Sequence, residues 1–321
     1  MTIEVKMIDM EHYVTLFDKN YLPQGLLLHR SMERHIKKYQ LWILCVDEET
    51  YQILTSLELH NVRLLNLKDV ETDELREIKK QRSKGEYCWT LTPYSLRFVF
   101  EADKSIKRVT YIDADVWFLA EPSMIFDEFI KSGKHVLITE HAFSPEHDQS
   151  KLAGKYCVQF MTFDRFSGEV VRSWWERKCK EWCYARYEDG RFGDQKYLDT
   201  WPDLFKNEVH VLEKKELLLA PWNAQRFPYS DAILWHFHGL KVISENKTFI
   251  GVYEIPTPVI NNIYLPYIKE MKLVNKILSD SGWKFEGQIA QPRFYEQLML
   301  VIKNIYKLMR SLNTKNIIYQ K

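Results

Sequence analysis

The sequence predicts an α/β fold, a single Rossmann-like domain with a mostly parallel central sheet and a helical extension at its C-terminal end. Three observations carry that prediction. Residues 41–47 (LWILCVD) are a continuous apolar run closed by an acid, the pattern of a parallel strand buried on both faces. Strand-like and helix-like segments alternate from the start of the chain, as repeated βαβ units do. A later apolar run, VTYID, ends in acidic residues at the place where open α/β sheets bind their ligands.

Taken in order, residues 12–17 read as the opening strand, and 22–38 place Leu26, Leu27, Met32 and Ile36 at helical spacing. After the 41–47 strand, 48–59 read as a helix, 62–67 as a third strand and 70–82 as a polar-faced helix. Residues 90–101 look helical, with Pro93 expected in the first turn, where a missing N–H costs nothing. The segment 107–122 (KRVTYIDADVWFLAEP) carries the next strand, and 135–140 (HVLITE) another. The following hundred residues are irregular and rich in aromatics, with 232–241 (AILWHFHGLK) a late strand or loop holding two histidines. Beyond about residue 260 the pattern turns helical and basic. Residues 293–321 hold six Lys or Arg against one Glu, interleaved with apolar side chains, so they read either as a helix packed on the main domain or as a peripheral membrane contact.

Composition narrows the classes. The 321 residues are 45% hydrophobic and 28% charged, enough to bury a core without staples. A net charge of +1 gives no reason to expect nucleic-acid binding. The five scattered cysteines argue against a disulfide framework, and reduced thiols point to the cytoplasm. Cys179 and Cys183 lie one helical turn apart, but no second pair follows, so packing is their expected role. The N-terminus lacks an apolar core for a signal peptide, and no run approaches a transmembrane span. Most of the 10 Trp, 18 Tyr and 17 Phe are expected in the core; Trp174, Trp175 and Trp182 fit one amphipathic helix, whereas Trp222 is a candidate sugar-stacking ring.

Asp113 and Asp115 flank the small Ala114 at the end of the VTYID strand. Two carboxylates so close repel, and a shared divalent cation relieves the repulsion. Oxygen ligands suit Mg²⁺ or Mn²⁺, ions that also take phosphate oxygens. An isolated Asp-x-Asp is equally the mark of a solvated turn; the strand before it and Trp117-Phe118 after it favour a metal site.

YIDADVWFLAEP resembles the DXD segment of GT-A glycosyltransferases, especially the retaining family of glycogenin and bacterial lipopolysaccharide galactosyltransferases. The likeness runs in order over roughly residues 12–245. It implies a GT-A domain over 1–260 with a basic helical extension over 261–321. It also implies a nucleotide-sugar donor, expected to be a UDP-sugar, whose diphosphate is held by Asp113-Ala114-Asp115 through Mn²⁺ or Mg²⁺. Phe17, Asp18, Asn20 and Tyr21 resemble the loop that holds the nucleotide. Arg97 matches the helix supplying a basic residue to the donor. Asp194 and Gln195, in GRFGDQKYLD, match the pair that recognises the donor sugar, with Gln195 on its reacting face; Asp194 is equally suited to cap a helix. HFHGLK resembles the segment giving a third metal ligand and a lysine, Lys241, that neutralises the leaving diphosphate. The spacing departs from the better-studied members by one residue, so His236 and His238 are both candidate ligands. The implied reaction transfers a sugar to a hydroxyl of a glycan or lipid-linked acceptor, with retention, in surface polysaccharide synthesis. The rivals are an aspartate-nucleophile phosphatase, whose motif belongs on the first strand, and a non-catalytic glycan- or membrane-binding module. A nucleotidylyltransferase would need a glycine-rich N-terminal loop that LFDKNYLPQG lacks.

Overall fold

The computed structural model describes residues 10–244, 247–284 and 317–319. Its centre is a seven-stranded sheet. In chain order these strands are β1 (Glu11–Phe17), β2 (Tyr39–Cys45), β3 (Val62–Asn66), β4 (Arg108–Ile112), β6 (Val136–Glu140), β7 (Tyr156–Asp164) and β8 (Val209–Val211), with β5 (Val116–Phe118) set aside in a second sheet. The spatial order is β3-β2-β1-β4-β7-β6-β8. β3, β2, β1 and β4 run parallel; β7 is antiparallel to both β4 and β6, and β8 is parallel to β6. The fold class is the expected one.

Period-two alternation divides each central strand between two cores. Tyr13, Leu41 and Ile43 face the helices Leu22–His35, Ser123–Ser132 and Leu265–Asp280. Val14, Trp42 and Leu44 face the helices Lys84–Ala102 and Glu169–Glu181. Cover on both faces is why residues 41–45 of β2 read as an unbroken apolar run. Trp175 lies in the second core, fully buried, and stacks on Phe163.

Three readings need correction. The helix expected at 90–101 spans Lys84–Ala102 and carries Pro93 in its interior. A capping box starts it early: Ser83 Oγ accepts from Glu86 N, and Glu86 accepts from Ser83 N. The polar helix expected at 70–82 is two short helices, Leu67–Val70 and Asp73–Lys79, each with its own side-chain cap, Asn66 and Thr72. The irregular stretch conceals β7, which completes the middle of the sheet.

The second sheet joins β5 to β9 (Leu218–Leu219) and β10 (Leu234–His236). β10 is antiparallel to β5 and pairs His236 with Val116. A third sheet holds β11 (Lys241–Ser244), β12 (Lys247–Phe249) and β13 (Ile317–Tyr319). The Leu265–Asp280 helix docks on Leu22–His35, where Arg30 and Arg34 both donate to Glu270 at 2.6 Å. The basic segment 293–321 lies outside the described residues except for β13, a strand where a helix was expected.

Candidate active site

The chain leaves β4 at Ile112 and turns at once into β5. Asp113 N donates to Gln159 O of β7 (3.2 Å), and Val116 N to Asp113 O (3.4 Å), so the Asp113-Ala114-Asp115 turn is fastened to the sheet. Tyr111 Oη donates to Asp113 Oδ1 (2.9 Å). Across the β5–β10 ladder, Phe237 N donates to Asp115 O (2.9 Å), which brings His236 over the acids. Its Nδ1–H donates to Gln159 Oε1 (2.9 Å), which turns Nε2 toward Asp115 Oδ1 at 3.1 Å and Asp113 Oδ2 at 3.7 Å, the nitrogen from which a cation would displace a proton. One ligand atom from each of Asp113, Asp115 and His236 lies within 4.8 Å of the others. Two carboxylate oxygens and one imidazole nitrogen, converging with a fixed ring orientation, suit Mn²⁺ or Mg²⁺.

The electrostatics leave this cluster short of positive charge. Burial pushes Asp113 up to about 6; His236 opposes the rise and Asp115 adds to it. Burial, reinforced by Asp113, pushes Asp194 up to about 7, and Asp194 Oδ2 has no hydrogen-bond partner among the described residues. Burial resists charge on Asp115, yet His236 holds this carboxyl below its ordinary range. Burial also opposes charge on His236, but Asp115 and Asp113 outweigh it and raise the imidazole well above its ordinary value. Two partly buried acids thus share one imidazolium, and a third, Asp194, lies against Asp113, an excess of negative charge that a bound cation would correct.

A cleft of about 720 Å³ opens over these groups. Phe17, Asp18, Asn20 and Tyr21 form one rim where β1 ends. Asp18 accepts from Asn20 N (3.0 Å), Asn20 Nδ2 (2.9 Å) and Lys84 Nζ (3.0 Å). Gly25 makes that rim possible: a Cβ there would sit 2.3 Å from Phe17 Cζ. Asp194 and Gln195 line the opposite wall, with Gln195 Nε2 donating to Ala153 O (2.9 Å). Asp194 precedes the short 3₁₀ helix Gln195–Thr200, yet its side chain makes no capping bond; it is buried beside the acids instead. Trp222 lines the cleft too, edge-on to both His236 and His238.

His238 and Lys241 also line the cleft, but His238 is outside the three-ligand cluster. β10 ends at His236 and the chain turns, with Leu240 N donating to Phe237 O and Gly239 at φ +77°, and the His238 ring stays 5.8 Å from that of His236. Burial lowers His238 to about 4. Arg97 is placed elsewhere. It donates to Glu176 (2.9 Å) on the Glu169–Glu181 helix and does not line the cleft. Because the helix begins at Lys84, its first turn carries Lys84 to the cleft rim beside Asp18, while Arg97 lies more than three turns further on. Lys84 is therefore a cleft residue the sequence reading missed; the Ser-x-x-Glu pattern at Ser83 would have marked it. Gln159 was missed as well, and its signal was a lone amide within an apolar run.

No family model matches the sequence. YfnF of Bacillus subtilis (strain 168), an uncharacterized protein, is 30% identical over 279 residues, covering 80% of this chain and 92% of the relative. YfnD of the same organism, also uncharacterized, is 27% identical over 303 residues, covering 88% and 93%. Among solved structures, the galactosyltransferase LgtC in complex with donor and acceptor sugar analogs aligns at 13% identity over 89% of this chain and 99% of its own, with a TM-score of 0.45.

Proposed function

We propose that this chain, which belongs to the family of YfnF from Bacillus subtilis, is a GT-A glycosyltransferase that transfers a sugar from a UDP-sugar to an acceptor hydroxyl in a metal-dependent reaction. The observation that carries this reading is the convergence of Asp113, Asp115 and His236 on the floor of a cleft at the carboxyl ends of β1 and β4. A divalent cation held by these three residues would bind the donor's diphosphate oxygens and offset their charge.

The chain's own groups have separable roles in this proposal. Asp18, Asn20 and Tyr21 hold the nucleoside. The Lys84–Ala102 helix points its positive N-terminal end, with Lys84 and Gly85, into the cleft, which favours an anionic ligand. Lys241 stands at the start of β11 on the leaving-group side and balances charge on the departing diphosphate. Asp194 and Gln195 face the donor sugar and orient it. Transfer proceeds with retention onto a glycan or lipid-linked acceptor in surface polysaccharide synthesis.

The test is a donor screen that follows release of nucleoside diphosphate from UDP- and GDP-sugars, with and without Mn²⁺. Metal-dependent release from at least one UDP-sugar is expected. Equal turnover in the presence of a chelator would overturn the proposal, as would release of phosphate from simple phosphomonoesters with no action on any nucleotide-sugar.

A further inference from the structure

A wall of the cleft away from the nucleoside rim is built of aromatic rings that the metal cluster does not use. Trp222 meets His236 edge-on at 5.3 Å, His141 meets Trp222 at 5.1 Å, and Phe143 stacks on His141 at 4.7 Å with an interplanar angle of 14°. Tyr253 extends the wall, its hydroxyl accepting from Gln149 Nε2 (3.1 Å). Phe143 is only half-buried, so part of its ring faces the cleft.

The backbone holding these rings is strained and pinned. Ala142, between His141 and Phe143, sits at φ +49°, a left-handed conformation costly for a residue with a Cβ. Trp222 Nε1 and Asn223 Nδ2 both donate to His141 O, at 2.8 and 3.0 Å, and Arg226 donates to the carbonyls of Ala142 and Phe143. Two buried atoms of this turn, His141 Nδ1 and Ser144 Oγ, have no hydrogen-bond partner among the described residues. A strained turn that holds rings at a cleft wall, with an unpaired nitrogen beside them, is a place to look for a ligand.

We propose, resting on the transferase reading above, that this wall is the acceptor subsite and that it takes an uncharged sugar residue, with Phe143 as the stacking face and His141 Nδ1 as a directional polar contact. The apolar C–H face of a pyranose matches an aromatic ring, and one buried polar atom fixes its rotation. Neutrality follows from the lining. His141, Phe143, Gln149, Leu152, Trp222 and Tyr253 include no acid, lysine or arginine, and burial drives His141 down to about 3, so its ring is uncharged. A uronic acid or phosphorylated sugar seated here would bury its charge without a partner, close to three carboxylates.

Saturation-transfer NMR on the full chain with Mn²⁺ and UDP tests this. The probes are methyl β-D-glucopyranoside, methyl β-D-galactopyranoside and the uronic acid of the glucoside. At least one neutral glycoside is expected to receive saturation on its ring C–H protons, with the uronic acid about fivefold weaker, the size of one stacking or desolvation contact. Phe143→Ala should abolish the signal and Phe143→Tyr restore it, while His141→Phe, which keeps a ring but no nitrogen, should weaken it. An equal signal from the uronic acid, or a full signal in Phe143→Ala, would overturn the proposal. Calorimetry of UDP with wild-type protein, with and without Mn²⁺, separates the two readings. Metal-dependent UDP binding without glycoside contact defeats the subsite alone; absence of UDP binding defeats the transferase reading and the subsite with it.

Discussion

Two clusters of buried charge lie on either side of the same helix, Lys84–Ala102, and they are built on opposite rules. In the outer one, Arg172 donates to Glu169 (2.8 and 2.6 Å) and to Glu176 (2.5 Å), and Arg97 donates to Glu176 (2.9 Å). Two guanidinium groups meet two carboxylates, and the buried Arg172 satisfies its fork. In the inner one, Asp113 and Asp115 share a single imidazole, and Asp194 lies against Asp113 with its Oδ2 unpaired among the described residues. Charge matched one for one marks a structural brace. Charge left unbalanced marks a place where folding has left room for a ligand's charge, and the protein bears that cost when the ligand is away.

The sharpest way to break this distinction is Asp115→Ala. It should remove about 10³-fold or more of metal-dependent turnover of a UDP-sugar, on the scale of losing charge stabilisation at a reacting centre. The melting temperature of the metal-free protein should change little, because loss of the Asp115–His236 pair and relief of the Asp113–Asp115 repulsion oppose each other. A large fall in stability with activity intact would make the inner cluster a brace as well.

The second test is pH. Asp194 titrates at about 7 in the folded protein, against about 3.9 in an unfolded chain. The folded state keeps this proton longer, so stability is lost as pH rises from about 4 to about 7, and Asp113, raised to about 6, acts in the same direction. Urea midpoints of metal-free protein across that range should fall, and Asp194→Asn should remove a share of up to about 4 kcal/mol. A midpoint that rises with pH, and an Asp194→Asn curve parallel to wild type, would contradict it.

The outer cluster should respond in reverse. Glu176→Ala strips Arg172 and Arg97 of a shared partner and should cost about 2–3 kcal/mol in urea unfolding. Arg97→Ala is the mildest change, about 1 kcal/mol, since Glu176 keeps Arg172. Its KM for a UDP-sugar should match wild type; a raised KM would return Arg97 to the donor site.

Much of this was legible in the residues, and the failures have physical causes. The parallel strands were visible because double-sided burial leaves an unbroken apolar run. β7 was not: it carries Gln159 and Thr162 within its buried length and follows an irregular stretch, so its pairing with β4 and β6 comes from the sheet rather than from its own pattern. The Lys84–Ala102 helix was cut short because Pro93 outweighed the Ser83–Glu86 box that starts it. His236 and His238 could not be separated, since residues two apart share a face in any extended segment; among the described residues, His236 is the one that joins both acids in a candidate three-ligand cluster.

The sequence by itself determined the class of fold and the position of Asp113 and Asp115 at a strand end, because both follow from local order: alternation of apolar runs, and acids placed where a run stops. The tertiary structure alone decided what stands around those acids. It brought Gln159 and His236 onto them, delivered Lys84 rather than Arg97 to the cleft, and set His141 and Phe143 against Trp222. These are choices of helix start, strand register and turn direction, made by packing between residues far apart in the chain.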